Sequence, residues 1–142
     1  MALSKKDRAI LKEKYGGRCA YCGCVLPEKG WHADHVKPIL RRSEWKPDPT
    51  KPRGYYKSVP TGECDRPELD TIDNMMPACR SCNIYKSSCN LEYFRRMITE
   101  VAVNSTERTQ SLRAAKRFGI LTVDTTPIKF WFEKYEENNA VI

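Results

Sequence analysis

"NMMPACRSCNIYKSS" (residues 74–88) carries a cysteine pair, Cys79-x2-Cys82, with Asn83 directly after it. Two thiolates grip one edge of a tetrahedral ion and leave two positions unfilled. A second pair, Cys19-x2-Cys22 in "RCAYCGCVL" (18–26), supplies them. Cys19, Cys22, Cys79 and Cys82 therefore read as one structural Zn2+ site. The pairs lie further apart than the roughly 15–20 residues of a compact ribbon. A proline-rich segment accounts for the excess. A redox dithiol is the alternative for either pair, but it needs a βαβ neighbourhood that the chain lacks. Cys24, Cys64 and Cys89 remain as small buried hydrophobes or free thiols.

Working outward, the chain has 142 residues, which suits a single domain over 1–142. Hydrophobic burial alone holds a fold of this size only narrowly, so a structural metal would help. The net charge of +7 favours a polyanionic partner, chiefly nucleic acid. The start, "MALSKKDRAI", has no apolar signal region, and no stretch approaches the roughly 18 apolar residues of a membrane span. A cytoplasmic, unsecreted chain with no membrane partner is expected. Seven cysteines in such a chain point to metal rather than to disulfides.

Ser4 and Asp7 mark a capped helix start with Leu3 placed to staple it, and Gly16-Gly17 end that helix. "WHADHV" (31–36) reads as a strand that stops before Pro38. Residues 45–67 hold Pro47, Pro49, Pro52, Pro60 and Pro67, so helix is excluded there and regular strand is not expected. That segment reads as a long loop, an insertion over 40–70. "DNMMPACRSCN" (73–83) reads as a turn. A helix follows from Ser88 to Glu100, with Asn90 as cap and Leu91, Phe94, Ile98 and Val101 on one face. A second runs from about Ser105 to Phe118, with Asn104 and Glu107 as a capping box and Gly119 as its stop. "ILTV" and "IKFWFE" read as short strands packing over the core.

A closed four-cysteine zinc cannot activate water, so chemistry needs another centre. His32 and His35 are the only histidines. Asp34-His35 lies between the cysteine pairs, where a zinc knuckle brings it near Asn83. Asp34 and Asn83 offer hard oxygen ligands suited to Mg2+ or Mn2+. His35 is then free to act as a base near neutral pH. His32 shares a strand face with Asp34; a structural or surface histidine is the plainer role for it, an extra ligand the sharper one.

The order Cys-x2-Cys, Asp-His, Asn, Cys-x2-Cys-Asn-x2-Lys resembles the HNH endonuclease family in its zinc-stapled form. The residues that carry the resemblance are Cys19 and Cys22, "DHVKP" (34–38), "DNMMPACRSCN" (73–83) and Lys86. It covers roughly residues 15–100, with 101–142 as a helical and stranded extension like that of some phage-type members. The resemblance implies an α+β fold: a ββα-metal (His-Me finger) core with a four-cysteine zinc site and flanking helices. It implies His35 as general base, Asp34 and Asn83 around the catalytic ion, and Asn74 bracing the loop that orients His35 through backbone contacts. Lys86, one turn beyond Asn83, would reach the scissile phosphate. It also implies a bacterial or phage-infected cell as the setting. Asn83 stands where the family name has its final histidine, giving a His-Asn-Asn set.

Seven basic residues, Lys37, Arg41, Arg42, Lys46, Lys51, Arg53 and Lys57, face only Glu44 and Asp48 across 37–57. Trp45, Tyr55 and Tyr56 interleave with them, a mix suited to phosphate contacts plus stacking or groove packing. Arg108, Arg113, Lys116 and Arg117 form a second basic group. Double-stranded DNA is the expected partner. The oligomeric state stays open, a dimer included. The alternative function is a zinc-ribbon nucleic-acid-binding module without catalysis. Asp34-His35 and Asn83 argue against it, since a pure binder does not need them.

Overall fold

The computed structural model describes residues 3–140, so the outermost two residues at each end of the expected 1–142 domain lie outside it. The described residues are α+β, with two separate two-stranded antiparallel sheets. Helix α1 (Lys5–Glu13) starts where Ser4 accepts a hydrogen bond from the Asp7 amide. It buries Leu11, and Tyr15 follows it into the core. Strands β1 (His32–His35) and β4 (Met75–Ala78) pair with His32 opposite Ala78 and His35 opposite Met75. All four residues of β4 are buried. The stretch expected as a turn is thus a strand running straight into a helix. Among the described residues β4 pairs with no strand but β1, so its outer edge carries no ladder and Pro77 costs no ladder bond.

The expected loop over 45–67 is mostly a β-ribbon: β2 (Leu40–Pro47) pairs with β3 (Tyr56–Asp65). Prolines make regular strand unexpected there because they remove donors. In a two-stranded ribbon each strand has an outward edge, where a missing N–H is harmless. Pro47 and Pro60 lie within the ribbon strands, and Pro49 and Pro52 lie in its tip. Pro67 opens a single 3-10 turn at its foot.

Helix α2 (Arg80–Lys86) is short. Helix α3 (Leu91–Arg108) is capped by Asn90, whose side chain accepts from the Tyr93 amide. It runs past the expected boundary: Asn104 and Glu107 lie inside it, and the break comes at Thr109 before α4 (Gln110–Arg117). Glu107 pairs instead with Lys116 at 2.7 Å. "ILTV" forms no strand, and "IKFWFE" opens helix α5 (Trp131–Asn139). The Glu133 carboxylate accepts from the Phe130 amide at 2.7 Å, which starts that helix. Phe130 is buried and stacks on Phe94 of α3 at 5.5 Å, with Tyr21 edge-on to both. Burying one aromatic at the helix start outweighs the strand propensity of the run. No helix among the described residues is long and apolar enough to cross a membrane.

Candidate active site and metal centre

The site is built on two tight cysteine turns. Gly23 amide bonds the Cys19 carbonyl at 2.9 Å, and the Cys19 amide bonds the Cys24 carbonyl at 2.8 Å. Gly23 has φ +76°, and a Cβ there would lie 3.0 Å from the Trp131 ring, so this turn requires glycine. The Ala20 amide donates to the Pro77 carbonyl, tying this turn to β4 just before Cys79. Helix α5 clamps it from the other side. The Trp131 and Phe132 amides, which a helix start leaves without partners, donate to the Tyr21 and Ala20 carbonyls. Cys79 caps α2 and accepts from the Cys82 amide.

The four sulfurs of Cys19, Cys22, Cys79 and Cys82 all lie within 4.8 Å of one another, with Cys22 and Cys79 3.9 Å apart. A Zn–S bond of about 2.3 Å implies sulfurs about 3.8 Å apart on a tetrahedron. The cluster is thus close enough to hold a zinc-like metal ion. The hydrogen bond from Cys82 draws the Cys19 thiol down to about 4. That same bond, with burial, pushes Cys82 far above its ordinary value. Without a cation the sulfurs must share protons; a divalent ion lets all four ionise. Cys24 lies exposed beside this cluster, while Cys64 and Cys89 are half-buried elsewhere.

One turn along α2 from Cys82, Lys86 is fully buried. Its ammonium bonds Asp34 Oδ2 at 2.9 Å and donates to the His35 carbonyl at 2.7 Å. The Tyr21 hydroxyl donates to the same Asp34 oxygen. Burial, then the Asp34 charge, raises the Tyr21 pKa well above its ordinary value, so it stays a donor. The resemblance implies that Lys86 reaches a phosphate; here it is closed off from solvent and braces Asp34 instead. Both partners of Asp34 fall on Oδ2.

The His35 ring is held from the far side. Its Nε2 lies 2.9 Å from Asp70 Oδ1, with both side chains only 14% exposed. A carboxylate accepts only, so in the neutral ring Nε2 carries the proton and Nδ1 is the acceptor. Asn74 fastens this arrangement. Its Oδ1 accepts from the Lys37 amide, and its Nδ2 donates to the Lys37 and Leu69 carbonyls at 2.8 and 2.9 Å. Asn74 thus ties the chain just after His35 to the chain just before Asp70. Asp34 and His35 open onto a cleft of about 330 Å³ that Leu40, Arg41, Ser87 and Ser88 also line. Asn83 sits half-buried on the α2 face that also carries Cys82 and Lys86, and is not among the cleft-lining residues.

The expected nucleic-acid contacts divide. Arg41 lines the cleft, and Lys37 is exposed next to it. Arg42 is engaged at the ribbon foot by Asp65 at 2.6 Å. Lys46, Lys51, Arg53 and Lys57 lie on the distal half of the ribbon. Of the second basic group, Lys116 and Arg113 are turned onto Glu107. Two site residues carried no sequence signal: Tyr21, one of two residues inside a cysteine pair, and Asp70, a lone acid in a polar segment.

Comparison with known proteins returns nothing: no family model, no curated protein and no solved structure matches this chain.

Proposed function

We propose that this chain is a metal-dependent endonuclease of the zinc-stapled ββα-metal type, with a His-Asn-Asn set, that hydrolyses phosphodiester bonds of double-stranded DNA. The observation that carries this reading is His35: a histidine at a cleft, its Nε2 on a carboxylate and its Nδ1 left to accept. In the proposed step, His35 Nδ1 takes a proton from water as the water oxygen bonds to phosphorus. The bond from phosphorus to the 3′ oxygen breaks, that oxygen takes a proton from solvent water, and the His35 imidazolium returns its proton to solvent, leaving a 5′-phosphate and a 3′-hydroxyl. Asp70 and Asn74 position the ring. Arg41 at the cleft offers a cation to the phosphate.

The four cysteines would hold Zn2+, and β1, β4 and α2 would form the ββα unit around it. Asp34 Oδ1, the oxygen that Lys86 and Tyr21 leave, and the Asn83 amide oxygen are hard donors that would hold Mg2+ or Mn2+. When bound, such an ion supplies charge at the phosphate and at the leaving oxygen.

One observation favours a second reading, a binding module without catalysis. Lys86 already supplies Asp34 with a buried cation. Plasmid digestion with Mg2+, Mn2+ or EDTA separates the two. His35→Ala should lower cleavage by about 10²–10⁴-fold while duplex binding persists, as for a lost general base. Cleavage equal to wild type removes His35 from the mechanism. Asn83→Ala should raise the Mg2+ needed for half-maximal rate by about tenfold, or about 1.4 kcal/mol, with zinc content unchanged. If it cleaves normally at low Mg2+, Asn83 serves only the helix turn.

A further inference from the structure

The ribbon β2–β3 is held by its own ladder. Every β2 residue is exposed, and among the described residues no helix or strand outside the pair makes extensive contact with it. A lone two-stranded ribbon is marginal in water, yet this one carries large apolar groups outward: Trp45 is 72% exposed and Tyr56 60%. In the register, Trp45 lies opposite Ser58 and Pro47 opposite Tyr56, so Trp45 and Tyr56 are diagonal neighbours on one face. The other face sets Lys46 directly opposite Lys57. Like charges so placed repel unless an anion joins them. The exposed Glu44 relieves Lys46 at 3.3 Å, and the half-buried Asp48 relieves Lys57 only at 3.8 Å.

The charge is graded along the ribbon. At the foot, Arg42 is neutralised by Asp65 and Glu63. The distal half carries Lys46, Lys51, Arg53 and Lys57 against Glu44 and Asp48, an excess of two positive charges. Both feet meet the catalytic cleft: Leu40 and Arg41 line it, and the chain leaving β3 reaches Asp70 on His35. Pro47 and Pro60 interrupt the open edges, which disfavours a protein strand adding there.

We propose that β2–β3 is a DNA-reading arm that lies in the major groove of duplex DNA, on one side only of the cut phosphate. This rests on the nuclease reading of the cleft. The major groove admits a two-stranded β-ribbon. Eight residues of β2 at about 3.3 Å each reach about 26 Å from the cleft. At about 3.4 Å per base step, that spans about 8 base pairs. The arm is thus a ruler, and it makes the substrate footprint asymmetric.

The test uses the full chain and linear duplexes of fixed sequence. With EDTA present, acrylamide quenching of tryptophan is read with and without duplex. Trp45 dominates, since Trp31 is buried and Trp131 half-buried; a Trp45→Phe control confirms the assignment. Duplex should shield Trp45. The Lys46→Gln/Lys57→Gln variant should lose about 1.8 from the log–log salt slope of binding, about 0.9 per contact. With Mg2+, trimming the duplex below about 8 base pairs on one flank should abolish cutting, while equal trimming of the other flank should not. Cleavage with Trp45 still open to acrylamide, an unchanged slope and symmetric flank dependence overturns the arm and leaves the nuclease reading standing. Shielding of Trp45 by duplex that is never cut supports the arm and removes the nuclease reading. Shielding of Trp45 without DNA, rising with protein concentration, overturns the arm in favour of a second copy as its occupant.

Discussion

The sheets β1–β4 and β2–β3 share one architecture, two antiparallel strands, and almost nothing else. Every residue of β4 is buried, and every residue of β2 is exposed. β1–β4 is short, but α1, α2 and the first cysteine turn all fasten onto it. β2–β3 has about twice its length in ladder and no such support. In the first, the strands are means of placing Asp34, His35 and Cys79. In the second, the strands present side chains to whatever lies outside. The comparison teaches that the ladder itself stabilises little; what covers it decides whether a strand pair is rigid scaffold or adaptable arm.

The largest expected effect breaks the first region alone. Cys79→Ser should unfold or aggregate the protein, since structural zinc is worth about 10–16 kcal/mol of coupled folding free energy in small domains. Zinc per chain and a thermal melt check it. Wild type treated with a strong chelator should behave alike. A zinc-free variant with an unchanged melt would remove the metal from the cluster.

Next in size is the buried pair that joins α2 to β1. Lys86→Met should destabilise by about 3–5 kcal/mol, because it leaves the Asp34 charge buried beside only the Tyr21 hydroxyl. Denaturant melts measure it. Lys86→Met with Asp34→Asn should recover much of that loss, since the variant pair holds no net charge. If the single substitution leaves the melt unchanged, water already solvates Asp34 and the brace carries no weight.

These two regions also differ in how far their sequences disclosed them. The cysteine cluster was legible because thiolate pairs are rare and their spacing is geometric; the four sulfurs meet as expected. The β1 strand and the α1 cap were legible from local signals, Ser4 with Asp7 above all. The ribbon was not, because proline reports a missing donor and not which edge of a strand it faces; Pro47 and Pro60 are tolerated only through pairing that local sequence does not reveal. α5 was misread because its aromatic run favours strand locally, whereas Phe130 is decided by Phe94 and Tyr21 at distant positions. Lys86 was misplaced for the same reason: its spacing on the helix was right, but only the fold shows that the side meeting Asp34 is closed to solvent. Asp70 had no local signal, being one acid brought to His35 by the ribbon's return.

The smallest expected effect lies in the ribbon and sharpens the comparison most. Trp45→Ala and Tyr56→Ala should each leave the melt within about 0.5 kcal/mol of wild type, as for exposed side chains without buried partners. The same positions tell a different story in amide exchange. The β2–β3 amides should exchange at low protection even in the zinc-loaded protein, because their ladder opens without disturbing the core. Those of β4 and the start of α2 should exchange only through global unfolding while zinc is bound. Chelation should then erase the protection of β4 and leave that of the ribbon nearly unchanged, since it had little to lose. Added duplex should do the reverse, raising protection in the ribbon and not in β4. A ribbon that is as protected as β4 in the free protein would mean that something besides its own ladder holds it, and the contrast between scaffold and arm would fall.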